Sequence, residues 1–254
     1  MLEATAKQSP HRNIIPLVGD VTSKDDLKNI ASHIGKEVGY VNVLIANSGV
    51  SGPQVSSINP ETSLKDFQAT LWDQKFEDYT NTFAVNASAV FFTIVAFLGL
   101  LDAGNAKGNV DQKSQVIATS SIAGFNRNVP GGYAYGQSKA ATTSLMKQLA
   151  TNLVPYGIRS NVIAPGRKCL ASLINDMLFL QNLAHGDAVY PSEMSVDLIG
   201  DGVFPKSKIP AQRSGTPEDM AGCILFLTSR AGAYCNGNVL VTDGGRLSVM
   251  PATY

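Results

Sequence analysis

Short runs rich in β-branched and apolar residues alternate along this chain with longer stretches whose apolar positions recur every three or four residues. The short runs are 13–21 (NIIPLVGDV), 41–49 (VNVLIANSG), 114–121 (SQVIATSS), 158–166 (IRSNVIAPG) and 237–245 (GNVLVTDGG), and each reads as a strand. After the first of them, TSKDDLKNIASHIGKEVG opens with a Thr or Ser in capping position and acidic residues in the first turn. Leu27, Ile30 and Ile34 then share one face, which predicts a helix of about four turns. Residues 50–80 read as a loop carrying at most one helical turn, and the apolar run 89–101 as a buried helix. Strands that alternate with helices predict an α/β fold: a doubly wound parallel sheet with helices on both faces, three layers in one domain.

In such a sheet, ligands bind outside the carboxyl ends of the strands. Three of the five predicted strands end in small polar clusters, Asn47-Ser48-Gly49, Ser120-Ser121 and Pro165-Gly166. These clusters are expected to line one crevice.

Composition narrows the chemistry. Twenty basic and twenty acidic residues cancel over 254 positions, so nothing marks an electrostatic footprint for nucleic acid or an anionic membrane. Cys169, Cys223 and Cys235 form no CxxC pair and have no His at ligand spacing, which disfavours a metal site and a disulfide framework. They read as reduced thiols of a cytoplasmic protein. The opening residues MLEATAKQSPHRN have no apolar signal core, and the run 89–101 is short for a bilayer span. The NAS triplet at Asn86 therefore reads as chance rather than as a glycosylation site. A small-molecule substrate is the expected partner.

Candidate chemistry centres on GGYAYGQSKAATTSL (131–145), where Tyr135 and Lys139 stand four apart. On a helix that spacing puts both on one face, about one turn apart. An ammonium there favours the phenolate and lowers a pKa that starts near ~10 toward values useful for proton transfer. Taken alone, the pair more often marks a partly buried tyrosine beside a solvated lysine, since chance produces the spacing on many helices.

With SSIAG (120–124) after a strand, FAVNASAVFF (83–92) opening an apolar helix, and IANSG (45–49) closing a strand, the chain resembles the short-chain dehydrogenase/reductase family from about residue 13 to residue 246. The resemblance implies a Rossmann-like sheet and hydride transfer between a nicotinamide cofactor, NADP or NAD, and a carbonyl or secondary alcohol carbon. It implies Tyr135 as general acid/base, Lys139 as the group that lowers its pKa and holds the nicotinamide ribose, Ser121 on the substrate carbonyl, and Asn86 in support of a proton relay. Ser120 competes with Ser121; the latter directly precedes IAG. The cofactor-binding residues implied are Asp20 and Val21 near the adenine, Asn47, Ser48 and Gly49 in the turn, Tyr135 and Lys139, and Pro165 and Gly166 beside the nicotinamide. Asp20 also reads as a helix cap. RSGTPEDMAGCILFLTS (213–229) resembles the family's late helix, with Thr216 capping and Pro217 at the first helical position. A homo-oligomer through the helices containing 86–102 and 135–152 is implied as well.

Two departures stand out. The sequence has no TGxxxGxG turn, and 13–21 corresponds to the family's third strand, so the fold is expected to lack the first strand-helix-strand unit. A naturally truncated protein and an incomplete gene model both account for this. Leu170 occupies the place of a hydroxyl residue that contacts the carboxamide, whereas Ser192 would fall there if 167–189 were an insertion; a lid helix over the same segment is the alternative. A catalytically inactive remnant that acts by pairing with intact homologues is the alternative to an enzyme, and the chain is expected to bind a dinucleotide weakly or not at all.

Overall fold

The structure is a computed structural model that describes residue 11 and residues 13–55, 58–129, 131–166 and 202–254. Its elements are α1 (Lys24–Glu37), β1 (Val43–Ala46), α2 (Leu64–Trp72), α3 (Phe76–Phe83), a π turn (Ala84–Ser88), α4 (Ala89–Lys107), β2 (Gln115–Thr119), α5 (Tyr133–Asn152), β3 (Arg159–Pro165), α6 (Pro217–Thr228) and β4 (Val239–Thr242). The four strands form one parallel sheet in the order β1-β2-β3-β4.

Alternation along the strands divides the core. Val116, Ala118, Val162 and Ala164 face Val90, Ile94 and Leu101 of α4 and Met146 of α5. Their neighbours Ile117 and Ile163 face the opposite side, against Met220 and Leu227 of α6. Helices therefore cover both faces, as the strand pattern predicts. The starts of the central strands carry buried polar groups that are paired: Gln115 Nε2 donates to Leu227 O (2.6 Å), and Asn161 Nδ2 donates to Cys235 O (3.0 Å).

Three expectations need correction. Residues 13–21 do not form a strand: among the described residues β1 is an edge, and no ladder reaches the segment. Ile15 and Val18 are 73% and 72% exposed. A strand-like pattern becomes a strand only where a neighbour supplies backbone partners. What fixes the end of the segment is α1, because Asp20 N donates to Asp26 Oδ2 (2.8 Å).

Second, residues 50–80 hold two helices. Ser63 caps α2 by accepting from Asp66 N (3.1 Å), yet α2 buries no residue, so its apolar positions leave no clear stripe. Third, the apolar helix is longer than the run 89–101. With α3 and the π turn it extends over Phe76–Lys107, long and apolar enough by length and composition to cross a membrane. Here it is a layer of the fold, with Ile94 and Leu101 fully buried against the sheet.

The expected helix caps are found. Ser23 caps α1, and Thr216 with Asp219 forms a reciprocal capping box on α6 behind Pro217.

Candidate active site

The carboxyl ends of β1, β2 and β3 lie along one edge because the strands are parallel, and the three small polar clusters meet there. The helix α5 passes over them. Its residues Tyr135, Ser138, Lys139, Thr142 and Thr143 fall at i, i+3, i+4, i+7 and i+8 and share the face turned to the sheet.

Lys139 is 4% exposed and donates from Nζ to the Thr119 carbonyl at the end of β2 (2.8 Å). Its ammonium lies 5.9 Å from the centre of the Tyr135 ring. Loss of solvent disfavours the charged form and lowers the lysine pKa from 10.5 to about 8. At neutral pH the group remains a cation, held under the phenol by a carbonyl.

The β1 turn approaches from the other side. A methyl group on Gly49 would lie 3.0 Å from Asn86 Oδ1 and 3.2 Å from Lys139 Nζ, so the small residue is what lets this backbone reach the ammonium. Asn86 sits in the π turn, fully buried. Its carboxamide behaves like a strand partner for Val50: Oδ1 accepts from Val50 N (2.8 Å) and Nδ2 donates to Val50 O (2.9 Å). The same Nδ2 donates to Ser138 Oγ (2.9 Å), and the Asn86 carbonyl accepts from Thr142 Oγ1 (2.6 Å).

The two serines after β2 face different ways. Ser120 Oγ donates to Lys139 O (2.8 Å) and lies 2.7 Å from Thr143 Oγ1, so its hydroxyl fastens the strand to α5. Ser121 Oγ points to the end of β3, 3.4 Å from Pro165 O, and caps the short 3₁₀ turn Ile122–Gly124 by accepting from Ala123 N (3.1 Å).

The residues expected to hold a dinucleotide are partly brought together. Val21, Asn47 and Ser48 line a recess of about 30 Å³ with Ala46 and Val90. Asp20 uses Oδ1 to accept from Thr22 N (2.8 Å) and Thr22 Oγ1 (2.7 Å), a turn-stabilising role. Ser192, Leu170 and the segment 167–189 lie outside the described residues. Among the described residues no cluster of three metal-ligating side chains occurs.

Sequence reasoning passed over Thr119, Ser138, Thr142 and Thr143. The signal was available, since the last three repeat at helical spacing from Tyr135. It also passed over a second cavity of about 560 Å³ lined by Leu71, Trp72, Gln74, Phe76, Tyr79 and Tyr133. Tyr79 OH donates to Gln137 Oε1 (2.7 Å). Tyr133 and Gln137 are four apart on α5, and helical spacing puts them away from Tyr135.

Comparison with known proteins identifies the family. Residues 1–169 match the family described as short chain dehydrogenase, and 203–246 match the one described as Enoyl-(Acyl carrier protein) reductase. The chain is 46% identical over 261 residues to short-chain dehydrogenase/reductase PhomF' of Diaporthe leptostromiformis, covering all of this chain and 82% of that one. It is 40% identical over 269 residues to short-chain dehydrogenase/reductase SAT3 of Stachybotrys chartarum, covering all of this chain and 92% of that protein. Among solved structures it resembles the Pseudomonas aeruginosa RhlG/NADP active-site complex, with a TM-score of 0.64 and 27% identity over 90% of this chain and 75% of that one.

Proposed function

The chain belongs to the short-chain dehydrogenase/reductase family and is an oxidoreductase of that type, and on this premise we propose that it moves a hydride between a nicotinamide cofactor, NADP or NAD, and the carbonyl or secondary alcohol carbon of a small molecule. The observation that carries the reading is the buried ammonium of Lys139 beneath the Tyr135 ring, between Gly49 and Thr119 O, at the mouth of three strand ends.

The bound nicotinamide supplies or accepts the hydride. In the reducing direction Tyr135 gives its phenolic proton to the substrate oxygen, and in the oxidising direction it takes that proton back. Lys139 makes the exchange easier in both directions, because a cation close to the ring stabilises the phenolate. Ser121, whose hydroxyl is not consumed by α5, holds the substrate oxygen. Asn86 keeps the Gly49 turn and α5 in register through Val50 and Ser138.

The residues present fit a dinucleotide at this edge. Gly49 leaves room beside the lysine that would hold the nicotinamide ribose. Pro165 and Gly166 would border the ring, while Val21, Asn47 and Ser48, with Asp20 nearby, would face the adenosine end. Ser192 would contact the carboxamide if 167–189 is an insertion. Self-association through α4 and α5 belongs to the same reading. Phe91, Phe92 and Val95 leave α4 with an exposed apolar face.

The test is a cofactor titration by fluorescence, followed by turnover of a panel of ketones with NADPH and NADH. Dissociation constants below millimolar with turnover on the order of one per second support the reading. No binding and no turnover under any condition leaves the inactive remnant as the function of this chain.

A further inference from the structure

The segment after β4 reaches back to the substrate side of the site. It first turns at Asp243, whose carboxylate accepts from Gly245 N (2.8 Å) and Leu247 N (2.7 Å). That turn is seated on the end of β3: a methyl group on Gly166 would lie 2.7 Å from Asp243 Cα. Residues 251–254 then run antiparallel to the turn that follows Ser121. Arg127 N donates to Pro251 O (2.9 Å), Thr253 N donates to Phe125 O (2.8 Å), and Asn126 bridges Ala252. The Thr253 hydroxyl adds a second bond to Phe125 O (3.1 Å). The Phe125 and Tyr254 rings meet edge to face with centres 5.0 Å apart, and Tyr254 OH lies 3.5 Å from Val239 O of β4.

We infer that residues 251–254 are a clasp that fixes the turn Ser121–Asn126, with Thr253 and Tyr254 as positioning residues; the catalytic consequence rests on the role proposed above for Ser121. The turn has little of its own to hold it. Its internal backbone bonds are Gly124 N to Ser121 O (3.1 Å), Phe125 N to Ile122 O (3.0 Å) and Asn126 N to Ile122 O (3.1 Å); α5 packs against Gly124, but Arg127 and Asn128 beyond it are exposed. Isolated turns of this length do not persist in water. The clasp supplies the partners of Phe125 O and Arg127 N and packs an aromatic ring on Phe125. It also ties this turn to β4, and through Asp243 to the Pro165-Gly166 corner that Ser121 Oγ faces. A displacement of about 1 Å at a substrate-positioning hydroxyl costs on the order of a hundredfold in rate.

The experiment compares the full chain with Thr253→Pro, Tyr254→Ala and the conservative Tyr254→Phe, by amide hydrogen exchange and by steady-state kinetics. Thr253→Pro and Tyr254→Ala should speed exchange in peptides covering 120–128 about tenfold and leave those from α5 unchanged. The same two variants should lower kcat about tenfold with the cofactor dissociation constant held within about twofold, and Tyr254→Phe should restore both. Unchanged exchange at 120–128 in Tyr254→Ala, or a uniform rise over the whole chain in both variants, overturns the clasp. Faster exchange confined to 120–128 in a protein with no turnover in any form leaves the clasp standing and defeats the oxidoreductase reading instead.

Discussion

Asn86 and Ser138 meet inside the protein, the asparagine Nδ2 donating to the serine hydroxyl at 2.9 Å. Through this bond the π turn, the Val50 backbone and the helix bearing Tyr135 and Lys139 become one unit, because Ser138 in turn donates to Tyr135 O (2.9 Å). Removing the asparagine carboxamide takes its partner from the partly buried Val50 N. Asn86→Ala should therefore cost about 1–3 kcal/mol, and Ser138→Ala about 1 kcal/mol. Urea denaturation measures both, and an Asn86→Ala protein more stable than Ser138→Ala contradicts the account.

The serines after β2 should separate cleanly. Ser121→Ala is expected to lower kcat/KM about a hundredfold, far more than the loss of about 1 kcal/mol of stability from its cap on Ile122–Gly124 would explain. Ser120→Ala should cost about 1 kcal/mol of stability through its lost bond to α5 while most activity survives. Kinetics and thermal unfolding on the same preparations decide it, and equal kinetic damage from both would sink the distinction.

Tyr135→Phe removes one oxygen and none of the ring contacts. Turnover should fall by about 100- to 10,000-fold, the range for loss of a general acid, with cofactor affinity retained. Substantial residual turnover would assign the proton to another group.

Lys139 makes stability depend on pH in a defined window. Its pKa falls from 10.5 for a solvated lysine to about 8 in the fold, so between these values the unfolded chain binds more protons than the native one. Stability from this group is constant below about 8, rises with pH between about 8 and 10.5, and levels off above. Lys139→Met should abolish that rise and turnover together. Unfolding free energies of both proteins at pH 8 and pH 10 provide the check, the difference between them cancelling other groups.

Much of this was legible in the chain itself. The residues at 43–46, 115–119, 159–165 and 239–242 are apolar and β-branched in strand-length runs, and the period of two sends Ile117 to one layer and Val116 to the other. The four-residue interval between Tyr135 and Lys139 fixes their common face on any helix. Ser23 and Thr216 announce their helices because a capping hydroxyl needs nothing beyond the next three residues. These are local properties, and local chemistry specifies them.

The rest depended on what lies alongside. Residues 13–21 have the composition of a strand but, among the described residues, no strand to pair with, and composition carries no information about neighbours. Helix α2 buries nothing, so it wrote no stripe into the sequence. Adjacent serines at 120 and 121 must face opposite sides, yet only the packing of α5 decides which hydroxyl is spent on Lys139 O and Thr143 and which is left toward Pro165. The pairing of 251–254 with 125–127 joins positions more than a hundred residues apart. The sequence determined the four strands of the sheet and the common face of Tyr135 and Lys139, because those follow from spacing along one chain; the fold decided partnership, since contact is a property of two segments and neither contains it alone.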